Sequence, residues 1–282
     1  MSAAGALFRK NQSVIPGFGI TLGIAVTALS LVVLIPLAAL AAKALSVGPA
    51  DFWRIATNPR TLAALQLSFG AAFIAAAIDT IFGLLIAWVL VRYRFPGKRL
   101  LDAAIDLPIA LPTAVAGISL AVIYAPNGAV GSVLALAGIK VAYTPLAVVL
   151  ALIFVGLPFV VRTVQPVLAE AEKDIEEAAA LLGASRLRTV FQVVLPTVSP
   201  ALLTGFALAF ARGIGEYGSV IFIAGNLPFV SEIAPLLIVI RLEEFDYGGA
   251  AVIATVMLTL SFALLMLIGV LQNWHRRRLG YV

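Results

Sequence analysis

Long apolar runs alternate with short polar stretches along most of the chain. A helix needs roughly 20 apolar residues to cross a bilayer. Six runs are long enough, at approximately 18–43, 62–91, 103–124, 143–168, 197–225 and 248–273. With no separate soluble domain or short-period repeat, the pattern predicts one transmembrane domain over 1–282. The predicted fold class is an all-α integral membrane protein with about six transmembrane helices.

Two apolar runs need a separate interpretation. The first follows Arg9 and Lys10 and so resembles a signal peptide, but it is longer than the 7–15 residues of a typical signal-peptide core. We therefore predict that it is a retained first span. The run over 233–240 is too short to cross, so an interfacial or re-entrant segment on the outer side is expected.

Basic residues predict the orientation of the spans. With the N-terminus inside, the inner segments carry twelve Lys and Arg residues, the outer loops carry five, and two lie within spans. Cytoplasmic loops of membrane proteins are enriched in Lys and Arg. The sequence therefore predicts a multi-pass protein of a bacterial-type inner (plasma) membrane, with both termini in the cytoplasm.

Composition supports a protein embedded in lipid and limits the kinds of binding or catalytic site that the chain could carry. Hydrophobic residues make up 62% of the chain and charged residues 12%, against about 25% charged in soluble domains. The net charge of +5 is explained by basic inner loops, so no nucleic-acid partner is predicted. There is no cysteine, and His275 is the only histidine. No metal site and no catalytic residue are therefore predicted.

The inner loop over 169–196 has the pattern of a helix–turn–helix outside the membrane. Its first half is rich in Ala, Glu and Leu, which favour helix, and Gly183 is a natural stop. A second short helix is predicted over 185–194, with Pro196 near the start of the fifth span. One apolar stripe at i, i+3, i+4 and i+7 consists of Ile175, Ala178, Ala179 and Leu182.

Two interpretations of this loop are open. An amphipathic helix can lie on the bilayer surface, but such helices usually carry basic residues and bulky apolar anchors. This helix is acidic and rich in alanine, so anionic lipid would repel it. Small residues on an apolar face suit close docking into a groove of a partner protein, which is the favoured interpretation.

The same loop resembles a known motif. It reads Glu177-Ala178-Ala179, three residues, Gly183, nine residues, then Val193, one residue and Leu195-Pro196. This resembles the EAA loop of binding-protein-dependent ABC importer permeases; the one small departure is Val193, where isoleucine is common. The resemblance implies a type I ABC importer-like fold with a cytoplasmic coupling helix. It implies that these residues contact an ATPase: Glu177, Ala178, Ala179, Gly183, Leu195 and Pro196.

Other stretches resemble the sulfate and molybdate branch of that family. The segments 106–117 and 215–219 are similar to both kinds of permease. The segments 222–226 and 242–247 resemble the T subunit of sulfate/thiosulfate permeases. The implied function is passage of sulfate or thiosulfate from a periplasmic or extracellular binding protein to the cytoplasm. A molybdate or tungstate permease is the alternative within the family.

The resemblance also implies partners. These are two ATP-binding subunits carrying ATP and magnesium, a second and similar permease subunit in a heterodimer, and an external sulfate/thiosulfate-binding protein. The chain itself has no Gly-x4-Gly-Lys-Ser/Thr phosphate-binding loop. We therefore expect a permease subunit that is not an enzyme and binds no cofactor.

Polar and helix-breaking residues within the spans are candidates for the transport pathway. An irregular start of the third span is predicted from Pro108 and Pro112, followed by Thr113, and it could line the pathway or simply be a packed kink. In the fifth span Arg212 and Glu216 share a helix face, next to Tyr217. This pair could gate or contact the anion, or it could be a buried structural pair.

Two further charged residues lie within predicted spans. Arg162 could face the pathway or, as we favour, extend to the membrane interface. Asp79 is expected to pack against polar groups of another span.

Two other classes of protein remain as alternatives. A proton-coupled secondary anion transporter could use Asp79 and Glu216 as proton carriers. A membrane-embedded enzyme could use only a carboxylate or serine site, and no paired spacing supports one.

Overall fold

A computed structural model describes residues 18–171 and 173–278 of the chain. Within these residues the secondary structure is helical, as the sequence predicts. The helices in chain order are α1 (Phe18–Leu29), α2 (Ile35–Leu45), α3 (Pro49–Ala56), α4 (Pro59–Arg92), α5 (Lys98–Ile105), α6 (Leu107–Ala110), α7 (Thr113–Tyr124), α8 (Gly131–Leu136), α9 (Pro145–Glu170), α10 (Lys173–Leu181), α11 (Arg186–Thr189), α12 (Leu195–Ile214), α13 (Gly218–Ile223), α14 (Ala234–Glu243) and α15 (Tyr247–Arg278).

Five helical runs in the described residues are long and apolar enough to cross a bilayer. They are Phe18–Leu45, Pro59–Arg92, Pro145–Glu170, Arg186–Ile214 and Tyr247–Trp274. The predicted third span is not one helix, because α5, α6 and α7 divide it. Leu111 and Pro112 are extended there, as expected for a proline and the residue before it. The irregular start predicted from Pro108 and Pro112 is therefore confirmed.

Two long helices contain a π-helical turn just before a proline. Ser30–Leu34 joins α1 to α2 ahead of Pro36, and Val190–Val194 joins α11 to α12 ahead of Pro196. A proline donates no backbone hydrogen bond, and a π-helical turn is one way for a helix to accommodate the lost bond. The short helix predicted over 185–194 is therefore continuous with the predicted fifth span as far as Ile214. The rest of that predicted span, 197–225, is not part of this helix, because α12 ends at Ile214 and α13 follows separately.

The centre of the fold is a bundle of α4, α9 and α12, which contact one another more extensively than any other helices in the described residues. Glycines let these helices approach closely. A Cβ atom at Gly83 would lie 2.6 Å from Val160 Cγ1, and one at Gly205 would lie 3.0 Å from Val160 Cα. Small residues at such crossings are typical of membrane helix packing. This bundle brings the ends of α4 and α9 and the start of α12 to the same side.

On the opposite side, the loop before α14 is fixed to the start of α4. Arg60 donates two hydrogen bonds to the buried carboxylate of Glu232, with Nε–Oε2 and Nη2–Oε1 distances of 2.8 and 2.6 Å. Ser68 Oγ accepts a hydrogen bond of 2.8 Å from the backbone nitrogen of Ala234. The predicted run over 233–240 thus forms the N-cap and the first part of α14, which packs against α4 and α15.

Candidate functional site

The loop between the third and fourth long helical runs, Pro145–Glu170 and Arg186–Ile214, contains the predicted coupling motif. α10 ends where Gly183 adopts a left-handed conformation, with φ of +82°. The backbone nitrogens of Leu182 and Ala184 donate to the carbonyls of Ala178 and Ala179 at 3.0 Å each. This arrangement closes the helix C-terminus in the way that glycine favours. The prediction of a helix stop at Gly183 is confirmed.

An exposed apolar surface covers this loop. Glu177 and Ala178 are exposed and Ala179 is half-buried, whereas the side chain of Ile175 lies outside the part that the structure describes. Four large apolar side chains stand out from the loop, with exposed fractions of 89%, 88%, 72% and 63%. They are Leu181, Leu182, Leu187 and Phe191. We call these four, with Ala178, the coupling surface.

The sequence reasoning found only part of this surface. The stripe prediction included Leu182 but missed Leu181, Leu187 and Phe191. The available signal was their bulk within an otherwise polar stretch, with Leu187 and Phe191 four residues apart. Leu195 and Pro196 are instead half-buried inside the long helix, and so are separated from the exposed part of the motif.

The pathway candidates meet where α7 packs against α13. A Cβ atom at Gly117 would lie 2.3 Å from the carbonyl oxygen of Ser219, and one at Gly218 would lie 2.2 Å from Thr113 Oγ1. The backbone at Gly117 therefore lies against the backbone of Ser219, and the backbone at Gly218 lies against the side chain of Thr113. Pro112 caps the start of α7 and is exposed, and Pro108 in α6 is half-buried. We call this contact the α7–α13 junction.

Glu216 connects α12 to α13 at this junction. α12 ends at Ile214, and the almost fully buried carboxylate of Glu216 pairs with Arg212 Nη1 at 2.6 Å. Its Oε1 atom also accepts hydrogen bonds of 2.9 Å from the backbone nitrogen and the hydroxyl of Ser219. The half-buried Tyr217 lies between these groups in the chain. Thr113, Arg212, Glu216 and Tyr217 thus belong to one region of the structure.

Arg162 is held by carboxylates that the sequence reasoning did not connect to it. Its guanidinium donates to Asp106 at 2.6 and 2.8 Å, to Asp102 Oδ1 at 2.7 Å and to Gln165 at 2.7 Å. The side chain is 33% exposed. Extension of this side chain to the membrane interface stays a prediction, and the structure adds the carboxylates that pair with it. Asp102 and Asp106 lie 60 and 56 residues from Arg162 in the chain, so spacing offered no signal.

Asp79 does not pack against polar groups, and that prediction is wrong. It is fully buried, and neither carboxyl oxygen has a hydrogen-bond partner among the described residues. The side chain fits because Gly156 faces it: a Cβ atom there would lie 2.2 Å from Asp79 Oδ2. Within the described ranges there is also no group of three or more His, Asp or Glu residues that could hold a metal ion.

One family of transport proteins matches most of the chain. The family described as "Binding-protein-dependent transport system inner membrane component" matches residues 79–281, which include the coupling surface and the α7–α13 junction. The chain belongs to this family. As a member of the binding-protein-dependent transport family, it is an ABC transporter permease that crosses the membrane several times.

Relatives within this transport family match almost the whole chain. The "Sulfate transport system permease protein CysT" of Salmonella typhimurium strain LT2 is 49% identical over 95% of this chain and 97% of its own length. The protein of the same name from Escherichia coli K12 is 48% identical with the same coverage. That from Synechococcus elongatus is 50% identical over 89% of this chain and 91% of its own.

Solved structures of ABC transporters share the fold. A bacterial ABC transporter involved in the import of the acidic polysaccharide alginate matches with a TM-score of 0.74 at 11% identity, over 90% of this chain and 94% of its own. The inward-facing methionine transporter MetNI matches with a TM-score of 0.55 at 18% identity, over 77% and 95%. The type I ABC importer-like fold expected from the motif is confirmed.

Proposed function

We propose that this chain is the transmembrane permease subunit of an ATP-driven importer that passes sulfate or thiosulfate from an external binding protein to the cytoplasm. The observation that carries the proposal is the near full-length identity of 48–50% to sulfate transport system permeases. The exposed coupling surface beside Gly183 supports a motor that is a separate protein, since the sequence has no phosphate-binding loop of its own.

The energetics of the substrate favour such a motor. Moving a dianion against an interior-negative potential costs about 4.6 kcal/mol per 100 mV, since each charge contributes about 2.3 kcal/mol. Accumulation adds about 1.4 kcal/mol for each tenfold gradient. Hydrolysis of ATP with magnesium on two partner ATPases supplies that free energy. The chain itself then binds no cofactor and is not an enzyme.

The proposed cycle assigns a role to each part of the structure. Closure of the two ATPases draws the coupling helices α10 of two permease subunits together and opens the outer side. The external binding protein releases its anion there, and hydrolysis restores the inward-open state. A second, similar permease subunit completes the pathway, and an ABC transporter of the same fold has been solved in complex with an alginate-bound periplasmic protein.

The pathway in this chain is proposed to follow the α7–α13 junction. Broken helices within a membrane are tolerated where they are packed in protein or line a cavity. Pro108, Pro112 and Thr113 would form one wall, and Arg212, Glu216 and Tyr217 the other. Because Glu216 neutralises Arg212, the pair suits a gate better than a tight anion site.

The proposed location is the inner membrane, with both termini and the coupling surface in the cytoplasm. The excess of Lys and Arg on the segments that share a side with α10 supports this orientation.

Anion competition tests the substrate assignment. The whole transporter, reconstituted in vesicles with ATP inside, is expected to accumulate labelled sulfate. Excess unlabelled thiosulfate should suppress this uptake, and molybdate should have little effect. Stronger competition by molybdate or tungstate than by thiosulfate would favour the alternative within the family. Uptake driven by a proton gradient without nucleotide would contradict the ATP-driven proposal and favour the secondary transporter.

A further inference from the structure

The ends of α4, α9 and α10 meet at a single side chain. Arg92 is the last residue of α4, and its Nη2 atom donates to Glu176 Oε1 on α10. The same atom lies 3.3 Å from the carbonyl oxygen of Ala171, which ends α9. The guanidinium carbon lies 5.9 Å from the centre of the Trp88 ring, within the range of a cation–π contact. One guanidinium therefore connects α10 to both helices.

This ion pair is largely removed from water. The side chain of Arg92 is 9% exposed and that of Glu176 is 23% exposed. By contrast, the pair of Arg54 and Asp51 on α3 is 74% and 53% exposed. Water screens exposed pairs strongly, whereas partly buried pairs interact over a lower effective dielectric. The contact at Arg92 is therefore expected to fix the position of α10. The exposed pair on α3 is not expected to fix the position of its helix in this way.

Glu176 and Glu177 face different directions on α10. Adjacent residues on a helix do not share a face. Glu176 reaches Arg92 at the end of α4, whereas Glu177 is exposed beside the coupling surface. On α10, Glu176 therefore binds the membrane domain of its own chain, and Glu177 is available to a partner protein.

We propose that Arg92 is a positioning residue that connects α10 to the α4–α9 pair, so that movement of α10 on the ATPase reaches the membrane helices. The inference rests on the proposed function, because it requires that α10 contacts an ATPase. Beyond that function, the contact of Arg92 with Glu176 and Ala171 is the point through which the movement passes. α4 and α9 pack against each other and α12 along the bundle, so displacement of their ends is transmitted as a unit.

The test compares uptake per ATP hydrolysed in the reconstituted whole transporter. Arg92→Gln is expected to lower this ratio about tenfold, within the range of typical coupling between sites. Glu176→Gln is expected to lower it less, about fivefold, because Arg92 keeps its contact with Ala171. The double variant should lose no more than Arg92→Gln alone, as expected for two residues acting through one contact. The ATPase should still co-purify with all three variants.

Arg54→Gln is the matched control, since it breaks an exposed ion pair elsewhere in the chain, and it should leave the ratio unchanged. An unchanged ratio in Arg92→Gln, or losses that multiply in the double variant, would overturn the inference. If Arg92→Gln does not fold, an unchanged ratio in Glu176→Gln overturns it equally. If the unaltered transporter shows no uptake that depends on ATP, it is the proposed function that fails, which is a different result.

Discussion

Gly183→Tyr is expected to abolish ATP-dependent uptake and to release the ATPase, while the membrane domain stays folded. A Cβ atom at this position meets nothing within 4 Å in the chain itself, and we expect the bulk of the tyrosine ring to obstruct a docked partner. The left-handed backbone adds a local strain of about 1–2 kcal/mol. Substitution of a central interface residue typically weakens binding by about 2 kcal/mol or more, which is roughly 30-fold in affinity. Co-purification of the ATPase and uptake into vesicles measure both effects.

Gly183→Asn separates strain from bulk. Asparagine tolerates the left-handed conformation better than other non-glycine residues and has a small side chain. This variant should retain most of the uptake, whereas Gly183→Tyr should retain almost none. Equal activity of the tyrosine variant and the unaltered chain would mean that the coupling surface does not dock closely on a partner.

Glu216→Ala is expected to destabilise the membrane domain by about 1–3 kcal/mol, the usual cost of leaving a buried hydrogen-bond donor unsatisfied. Arg212 adds less to this cost, because its side chain is 36% exposed and can still be hydrated. The loss would leave Arg212 without the carboxylate that pairs with it, and the backbone nitrogen and hydroxyl of Ser219 without their acceptor. The expected result is a lower unfolding temperature of the purified protein in detergent, together with lost uptake.

A double variant distinguishes a structural pair from a gate at the same position. Arg212→Gln with Glu216→Gln removes both charges and retains groups that can hydrogen-bond. If the pair is only structural, this double variant should recover both stability and uptake relative to Glu216→Ala. A gate that uses the charges predicts recovered stability without recovered uptake. Unchanged stability in Glu216→Ala itself would contradict the burial that the structure gives to this carboxylate.

Hydropathy and turn chemistry were enough to predict most of the fold. Apolar runs located the long helices, and Gly183 located the end of α10 because only a few residue types tolerate its backbone conformation. Prolines 108 and 112 predicted an irregular segment for the same local reason. The number of separate pieces in that segment was not predictable, since the balance between a kinked and a broken helix depends on its neighbours.

Contacts between residues far apart in the chain were beyond the sequence reasoning. The pair of Arg212 and Glu216 was found because the two residues are four positions apart in the chain, although α12 ends at Ile214 before Glu216. The carboxylate partners of Arg162 lie on α5 and just after it, and Glu176 lies 84 residues from Arg92, so no local spacing reveals these ion pairs. Asp79 lacks a hydrogen-bond partner in the described residues, whereas buried polar groups are usually paired. The prediction that Asp79 packs against polar groups was wrong because it rested on the general rule that buried polar groups are paired.

The absence of native cysteine allows one direct test of the central claim, that the coupling surface binds a separate ATPase. Leu182→Cys places a single thiol on this surface, and Leu136→Cys places one at a site of similar exposure, 89% against 88%, at the end of α8 on the other side of the protein. A thiol-to-amine cross-linker applied to the assembled transporter should join the ATPase to the chain at residue 182 and not at 136. Cross-linking at neither position, in a transporter that still imports the anion, would contradict the account.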